Sequence, residues 1–562
     1  MTTHKMTAND WDSRIPGSMI QRMKTNLLTL GGSLGFILAA WGTDVPQAAA
    51  AAPPNFVIIL ADDLGFSDVG CYGGEIDTPH LDQLAQNGLR FTQFYNTARC
   101  WPSRAALMTG YYAQQVHRDQ IPELGGGTQG RRPPWAQLLP ELLAPAGYRS
   151  YHSGKWHIDG QPTKTGFHQS YFYNENGRFF SPRSHFLNGT ALPAVQESSG
   201  FYATTAKVDH ARQMLQQHQA NTPDAPFLLY LAFIAPHFPL QAPQSDIDKY
   251  RTRYLAGWDK LREERFARLK EQGIVATPLS DIERDVGPPY RNPKAMETLG
   301  PNEVNRPVPW DSLTESQREF QATKMAIHAA MVDRIDQEVG RLFQQLKEMN
   351  AWENTVILFL SDNGASAEIL VRDDGHDPAA APGSAASYLC LGPGFSCLAN
   401  TPFRRHKTWV HEGGISTPLI VHWPAGISGK GELRRTPGHL IDIVPTFLDA
   451  AGVTRPDTIA GETPPSFPGK SLLPVFQQDT DLHRECLWWL HEGNRAVRKG
   501  DWKLVAARNQ PWELYDLSKD RGESNNLAAR HPQQAEELRQ LWERELSSFR
   551  QLVEQTRDLG KP

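Results

Sequence analysis

Asp62-Asp63 and Asp362-Asn363 are the residues in this 562-residue chain whose type and placement first suggest chemistry. Each pair comes directly after a short apolar run, Phe56-Val57-Ile58-Ile59-Leu60 in one case and Val356 to Leu360 in the other. Such runs read as buried strands. In open α/β sheets, ligands bind beyond the carboxyl ends of the strands, so two strands would bring both pairs to one rim. Three carboxylates and an amide oxygen form a hard, oxygen-only set, which suits calcium or magnesium and serves zinc poorly. Asp and Asn are also ordinary loop-starting residues, so either pair alone carries little weight.

A second constellation is Cys100-Trp101-Pro102-Ser103-Arg104, continuing Ala105-Ala106-Leu107-Met108-Thr109-Gly110. Pro102 fits the first turn of a helix, and Ser103 to Met108 continues it. Cys100 then lies at a helix N-terminus, where unpaired N–H groups and the helix dipole favour an anion. Arg104, one turn on, can return to the same spot. Without that context a lone cysteine reads as a buried thiol or half of a disulfide.

The elements that must position these residues follow from periodicity. From Asn55 onward, short apolar runs alternate with helical patterns, which predicts a large, mostly parallel sheet covered by helices. Phe227 to Ile234 is a further buried strand, preceded by an amphipathic helix from about Thr204 to Gln217. Leu81 to Asn87 and Pro133 to Ala146 read as helices. A long helix from about Thr323 to Met349 leads into the strand Thr355 to Leu360. The charged stretch Arg251 to Gln272 reads as a solvated insertion helix. Residues 278–312 are Pro-rich and read as a long surface excursion. After about residue 475, Leu487–Leu490, Ala496–Arg498, Trp502–Val505 and Trp512–Tyr515 form an antiparallel meander, followed by a helix from about Pro532 to Val553. The expected organisation is a leader over 1–52, a catalytic part over 53–475 and a smaller α+β part over 476–562.

Cys-x-Pro-Ser-Arg-x-x-Leu-x-Thr-Gly, from Cys100 to Gly110, resembles the signature of the type I sulfatases, within the alkaline phosphatase-like superfamily. Gly154-Lys155-Trp156-His157, Ala235-Pro236-His237, Lys407 before Glu412-Gly413-Gly414, and Glu513-Leu514-Tyr515-Asp516-Leu517 resemble the family's later elements, in its order. The likeness runs from Asn55 to Ala528 and is nearest to bacterial arylsulfatases. It implies hydrolysis of sulfate esters by a formylglycine (3-oxoalanine) made from Cys100 by a formylglycine-generating enzyme. It implies a metal site of Asp62, Asp63, Cys100, Asp362 and Asn363, holding calcium with magnesium second. Lys155 and Lys407 would clamp sulfate oxygens, and Arg104 would hold the formylglycine hydroxyls. Asp362 would accept the attacking hydroxyl's proton, His237 would protonate the leaving oxygen, and His157 would take the proton from the second hydroxyl. The expected substrate is a sulfated small molecule or carbohydrate. A phosphodiester or phosphonate monoester hydrolase of the same superfamily is the nearest alternative, and a non-catalytic sulfated-glycan binding protein is a more distant one.

Composition excludes other classes. The net charge is −5, so no basic surplus exists to neutralise a nucleic-acid backbone. Arg22 and Lys24, the apolar run Leu27 to Ala40 and the small residues Ala48 to Ala52 form the pattern of an export signal, with a run too short for a stable membrane span. The expected location is therefore periplasmic or secreted. Among five cysteines, Cys390 and Cys397 are close enough to pair across a loop, while Cys71 and Cys486 read as single thiols. His411 and Arg405 are expected at the rim of the pocket. The segments 160–200 and 365–405 would form that pocket, where Phe167, Tyr171, Tyr173 and Phe179 either meet a substrate ring or fill the core.

Overall fold

The structure, a computed structural model, describes residues 52–121, 130–173, 178–372 and 375–556. Residues 1–51, which carry the export pattern, lie outside these. Among the described residues no helix is long and apolar enough to cross a membrane.

The central sheet has eleven strands: β1 Asn55–Asp62, β2 Leu89–Tyr95, β3 Arg149–Gly154, β4 Gln169–Tyr173, β5 His185–Leu187, β6 Thr190–Ala191, β7 Phe227–Pro236, β8 Thr355–Ser361, β9 Ser416–His422, β10 Glu432–Arg434 and β11 Gly438–His439. Their order is β10-β2-β9-β8-β1-β7-β3-β4-β5-β6, with β11 beside β2. The block β8-β1-β7-β3-β4 is parallel throughout. β9 runs antiparallel to both β8 and β2, and β5 and β6 close the far edge antiparallel.

Both faces of the parallel block are covered, which is why its strands read as unbroken apolar runs. Successive residues of β1 face opposite ways: Val57, Ile59 and Ala61 enter one core, and Phe56, Ile58 and Leu60 the other. The first core is roofed by α1 (Pro79–Gln86), by α4 (Ala203–Asn221) and by the long helix Glu315–Glu348. The second is roofed by α2 (Cys100–Thr109), α3 (Leu139–Leu143), the helix Ile443–Ala450 and the C-terminal helix Pro532–Thr556.

The C-terminal meander is as the sequence predicts: β12 Leu487–His491, β13 Asn494–Lys499, β14 Trp502–Ala506 and β15 Glu513–Asp516 form one antiparallel sheet in chain order. The described residues make a single compact unit. A buried ionic clasp ties the small sheet down. Glu412 accepts from Lys503 at 2.9 Å and Arg521 at 3.1 Å, and Lys503 also meets Glu523 at 2.8 Å. Tyr95 of β2 donates to Glu412 and accepts from Arg498 of β13.

Several sequence expectations are corrected. Pro133 to Ala146 is not one helix. Pro133, Pro134, Pro140 and Pro145 interrupt it, leaving only α3 and a short 3₁₀ turn. The charged stretch carries the helix Trp258–Glu271, but it is no solvated face. Trp258, Leu261, Arg262, Arg265 and Leu269 are buried, and Arg265 bridges Asp68 at 2.8 Å and Glu75 at 2.7 Å. The excursion 278–312 is pinned by Trp310, packed edge-on against Trp258, and by Glu303, paired with Lys324 at 2.6 Å. Cys390 and Cys397 are both free: Cys390 precedes the helix Gly392–Ala399 and Cys397 lies within it, so no loop joins them as a pairable couple. The Cys390 thiol donates instead to the Leu370 carbonyl. Phe167, Tyr171, Tyr173 and Phe179 are all buried in the cores.

Candidate active site

Four adjacent parallel strands end at the same rim, and each carries a sequence-predicted residue just past its last pair. In register, Ala61 of β1 stands opposite Ser361 of β8, so Asp62-Asp63 and Asp362-Asn363 lie side by side. Asp62 stands opposite Pro236 of β7, which puts His237 at the same level. Gly154, the last residue of β3, stands opposite Ala232, and Lys155 follows. A side chain at Gly154 would press to 1.8 Å from the Ala232 carbonyl, so glycine is what lets β3 reach this position beside β7. Asp63 and His157 have left-handed backbones, with φ of 64° and 56°. Such angles are uncommon outside glycine and are sustained by surrounding structure.

Helix α2 begins at Cys100 and ends on the left-handed Gly110. Its whole length is buried. Ser103 anchors the entry, its hydroxyl accepting from the Thr97 N–H at 3.1 Å. Arg104, fully buried, turns back from the first turn to donate to Asp362 through Nε at 2.9 Å and to the Lys155 carbonyl through Nη1 at 3.1 Å. The Cys100 sulfur is in electrostatic reach of Arg99, Arg104, Asp362 and Lys407.

The charges interlock. Lys155 Nζ lies 2.5 Å from Asp62 Oδ2, and Lys407 Nζ lies 2.7 and 2.9 Å from the two oxygens of Asp63. Asn363 Nδ2 donates to Asp63 Oδ1 at 2.7 Å and to the Gly364 carbonyl at 3.0 Å, which turns its own Oδ1 the other way. Burial alone would raise the Asp62 carboxyl, but Lys155, His237, Arg104 and Lys407 together hold it far below the usual range. Asp362 moves upward, through burial and then the neighbouring Asp62. Burial lowers His237 to about 4. Its Nδ1 lies 2.5 Å from the Phe238 carbonyl, an acceptor, so Nδ1 carries the hydrogen and Nε2 faces Asp63 at 3.7 Å.

At this rim two buried oxygens, Asp62 Oδ1 and Asn363 Oδ1, have no hydrogen-bond partner. Buried polar atoms are nearly always paired, and leaving one unmade costs about 1–3 kcal/mol. Asp62, Asp63 and His237 can bring one ligand atom each within 4.8 Å of one another. Unpaired oxygens beside clustered carboxylates fit a hard divalent cation.

The chain matches the Sulfatase family over residues 54–453, more than half its length, and the C-terminal N-sulphoglucosamine sulphohydrolase model over 404–551. The chain belongs to the sulfatase family. It is 32% identical over 544 residues to an uncharacterized sulfatase of Schizosaccharomyces pombe, covering 88% of this chain and 94% of that one. It is 30% identical to the arylsulfatase of Klebsiella aerogenes, over 77% of this chain and 94% of that enzyme. The crystal structure of Ps i-CgsB shares the fold with a TM-score of 0.62 at 24% identity, covering 88% of this chain and 93% of that one. The sulfatase is therefore an enzyme of sulfate-ester hydrolysis, with the alkaline phosphatase-like fold expected from its motifs.

Two residues of this sulfatase escape sequence reasoning. Glu368 is buried and stands 3.5 Å from Lys407 and 3.4 Å from Arg99, which hold its carboxyl down at about 2 against the desolvation that would raise it. Arg99 donates to the Thr408 hydroxyl at 2.9 Å and lies over the Trp101 ring. Its place directly before Cys100 is the one available signal; Glu368 has none beyond its membership of the 365–405 segment. Of the two rim expectations, the one for His411 is corrected, while Arg405 is partly exposed. His411 is fully buried against Glu513, and Arg405 is tied to Glu283 by two bonds of 2.7 Å.

Proposed function

We propose that the chain is an exported arylsulfatase-type hydrolase, matured at Cys100 to formylglycine and dependent on calcium. Residues 53–475 would form the catalytic part, residues 476–562 would close it, and the N-terminal leader would carry it to the periplasm or medium. What supports this reading most is the pair of unpartnered buried oxygens, Asp62 Oδ1 and Asn363 Oδ1, beside a helix N-terminus that begins with Cys100.

Asp62, Asp63, Asp362 and Asn363 would hold the cation, with the residue at position 100. When bound, it supplies positive charge for the sulfate and lowers the pKa of the attacking hydroxyl. The formylglycine hydrate supplies that hydroxyl, and a second one through which sulfate later departs. The remaining work belongs to this chain's own side chains. Lys155 and Lys407 present point charges on either side of the carboxylates, where sulfate oxygens need them. Arg104, fixed between Asp362 and the Lys155 carbonyl, orients the hydroxyls at position 100. Asp362, braced by Arg104 beside position 100, would take a proton from the nucleophile. His237 carries its resting hydrogen on Nδ1, so to protonate the leaving oxygen it must first gain a proton at Nε2, which faces Asp63. His157 would take the proton from the second hydroxyl.

The substrate class we favour is a small aryl sulfate, with sulfated sugars as the competing class. The test is to coexpress the chain with a formylglycine-generating enzyme, measure the mass of the peptide containing residue 100, and assay sulfate release from 4-nitrophenyl sulfate and from a sulfated monosaccharide. An aldehyde-bearing peptide with calcium-dependent release supports the reading. Release from protein whose residue 100 is entirely thiol sinks it.

A further inference from the structure

Beside the catalytic rim, the 278–312 segment and Ile369 line an open cleft of about 460 Å³. Pro288, Tyr290, Met296 and Ile369 give it apolar walls, and Arg291 and Arg306 give it charge. Among the described residues no carboxylate lines it. Two contacts connect it to the site. Ile369 follows Glu368, which pairs with Lys407. The Tyr290 ring takes the Arg99 guanidinium at 5.4 Å, and the same guanidinium lies 5.2 Å from the Trp101 ring, next to Cys100. The Tyr290 hydroxyl meets the Glu492 carboxylate oxygens at 2.8 and 2.9 Å, so the ring is fastened at both ends.

We propose that this cavity is the leaving-group subsite, and that it takes an aromatic ring carrying an anionic substituent. The proposal rests on the sulfatase reading of the rim. Flat apolar walls with an aromatic side chain suit a ring, which gains from stacking and from burial. Sugar hydroxyls need buried acceptors; among the described lining residues the side-chain amides are Asn292 and Asn305, and Asn292 Oδ1 already accepts from the Ala295 N–H at the start of its helix. The two guanidinium groups are planar forks that match a carboxylate or a second sulfate. The cavity residues of the insertion supply no carboxylate or lysine to the rim and meet it through the Tyr290 contact with Arg99, so they are placed to select substrate more than to alter the chemistry.

The test uses 6-hydroxy-2-naphthoate as a product probe and its sulfate ester as substrate, with phenyl sulfate as the small reference. Calorimetry on the full-length matured protein should show binding of the naphthoate that Met296→Trp abolishes and Arg291→Ala weakens. In both variants the ratio of kcat/KM for the naphthoate ester to that for phenyl sulfate should fall, by about tenfold or more in Met296→Trp. The assignment is overturned if the naphthoate does not bind the unmodified sequence, or if the ratio is unchanged in both variants. Wild-type protein that binds the naphthoate but releases sulfate from neither ester would overturn the sulfatase chemistry and leave the cavity assignment standing.

Discussion

Among the buried ionic clusters of this molecule, the clasp and the rim are built on opposite terms. In the clasp, Glu412 and Glu523 are matched by Lys503, Arg521 and backbone donors. At the rim, Asp62, Asp63 and Asp362 are also surrounded by cations, yet Asp62 Oδ1 and Asn363 Oδ1 remain unmatched and Asp63 keeps a left-handed backbone. Both clusters are equally deep, so burial does not separate them. What separates them is saturation: the clasp acceptor without a hydrogen bond, Glu523 Oε1, is still met by the Lys503 ammonium at 2.8 Å, whereas Asp62 Oδ1 and Asn363 Oδ1 have no hydrogen-bond partner. A cluster whose bonds are complete fixes structure, and one that keeps acceptors in reserve is built to receive something.

The largest break in that comparison should come at Cys100. Cys100→Ser keeps the size and burial of the side chain but has no second hydroxyl from which sulfate could leave. Sulfate release should fall by on the order of 10³-fold or more, while thermal unfolding stays close to wild type. A serine variant with full turnover would remove the basis for the rim's assignment.

Next comes an exchange of lysines between the clusters. Lys503→Ala leaves two buried carboxylates facing each other, which should lower stability by about 3–5 kcal/mol in urea unfolding. Lys155→Ala, measured with saturating calcium, should unfold close to wild type but lose about 10²–10³ in kcat. If the two variants lose stability equally, the rim is a structural cluster like the clasp and the distinction fails.

Cation removal sharpens the same contrast at smaller scale. A ligand at a hundred times its dissociation constant stabilises the folded state by about 2.7 kcal/mol. Chelation should therefore lower the melting temperature of the wild-type protein, and added calcium should restore it. An Asp62→Asn, Asp63→Asn double variant should show no response. A wild-type melting curve indifferent to chelator and calcium would argue against a cation at the rim.

These outcomes bear on how much the sequence could reveal. β1, β7 and β8 were legible because strands buried on both faces leave continuous apolar runs, and α2 because Pro102 and Gly110 mark its ends. β3 was not, since Arg-Ser-Tyr-His-Ser-Gly has no apolar run; its burial comes from neighbours far along the chain. The rim residues were readable because each follows a strand or sits in a motif. Glu368 was not, because its partner Arg99 is 269 residues away and nothing local encodes the pairing. The insertion helix misled for a related reason. Arg265 reads as solvated until Asp68 and Glu75 are folded against it.

The smallest effect is a matter of pH, and it falls on the clasp side. His439 of β11 is fully buried, edge-on to Trp489 of the small sheet, and burial followed by Arg484 lowers its pKa to about 3. The unfolded chain returns this group to about 6.5. Below that value the unfolded state binds a proton that the folded state refuses, so stability falls as pH drops from 6.5 toward 3. One such group contributes about 1.4 kcal/mol per pH unit in that window. Urea unfolding at pH 7, 6 and 5 should show this slope diminished by that amount in His439→Gln relative to wild type. Identical slopes would mean that His439 is protonated in the folded protein, and that the seam between the sheets is wetter than its packing indicates.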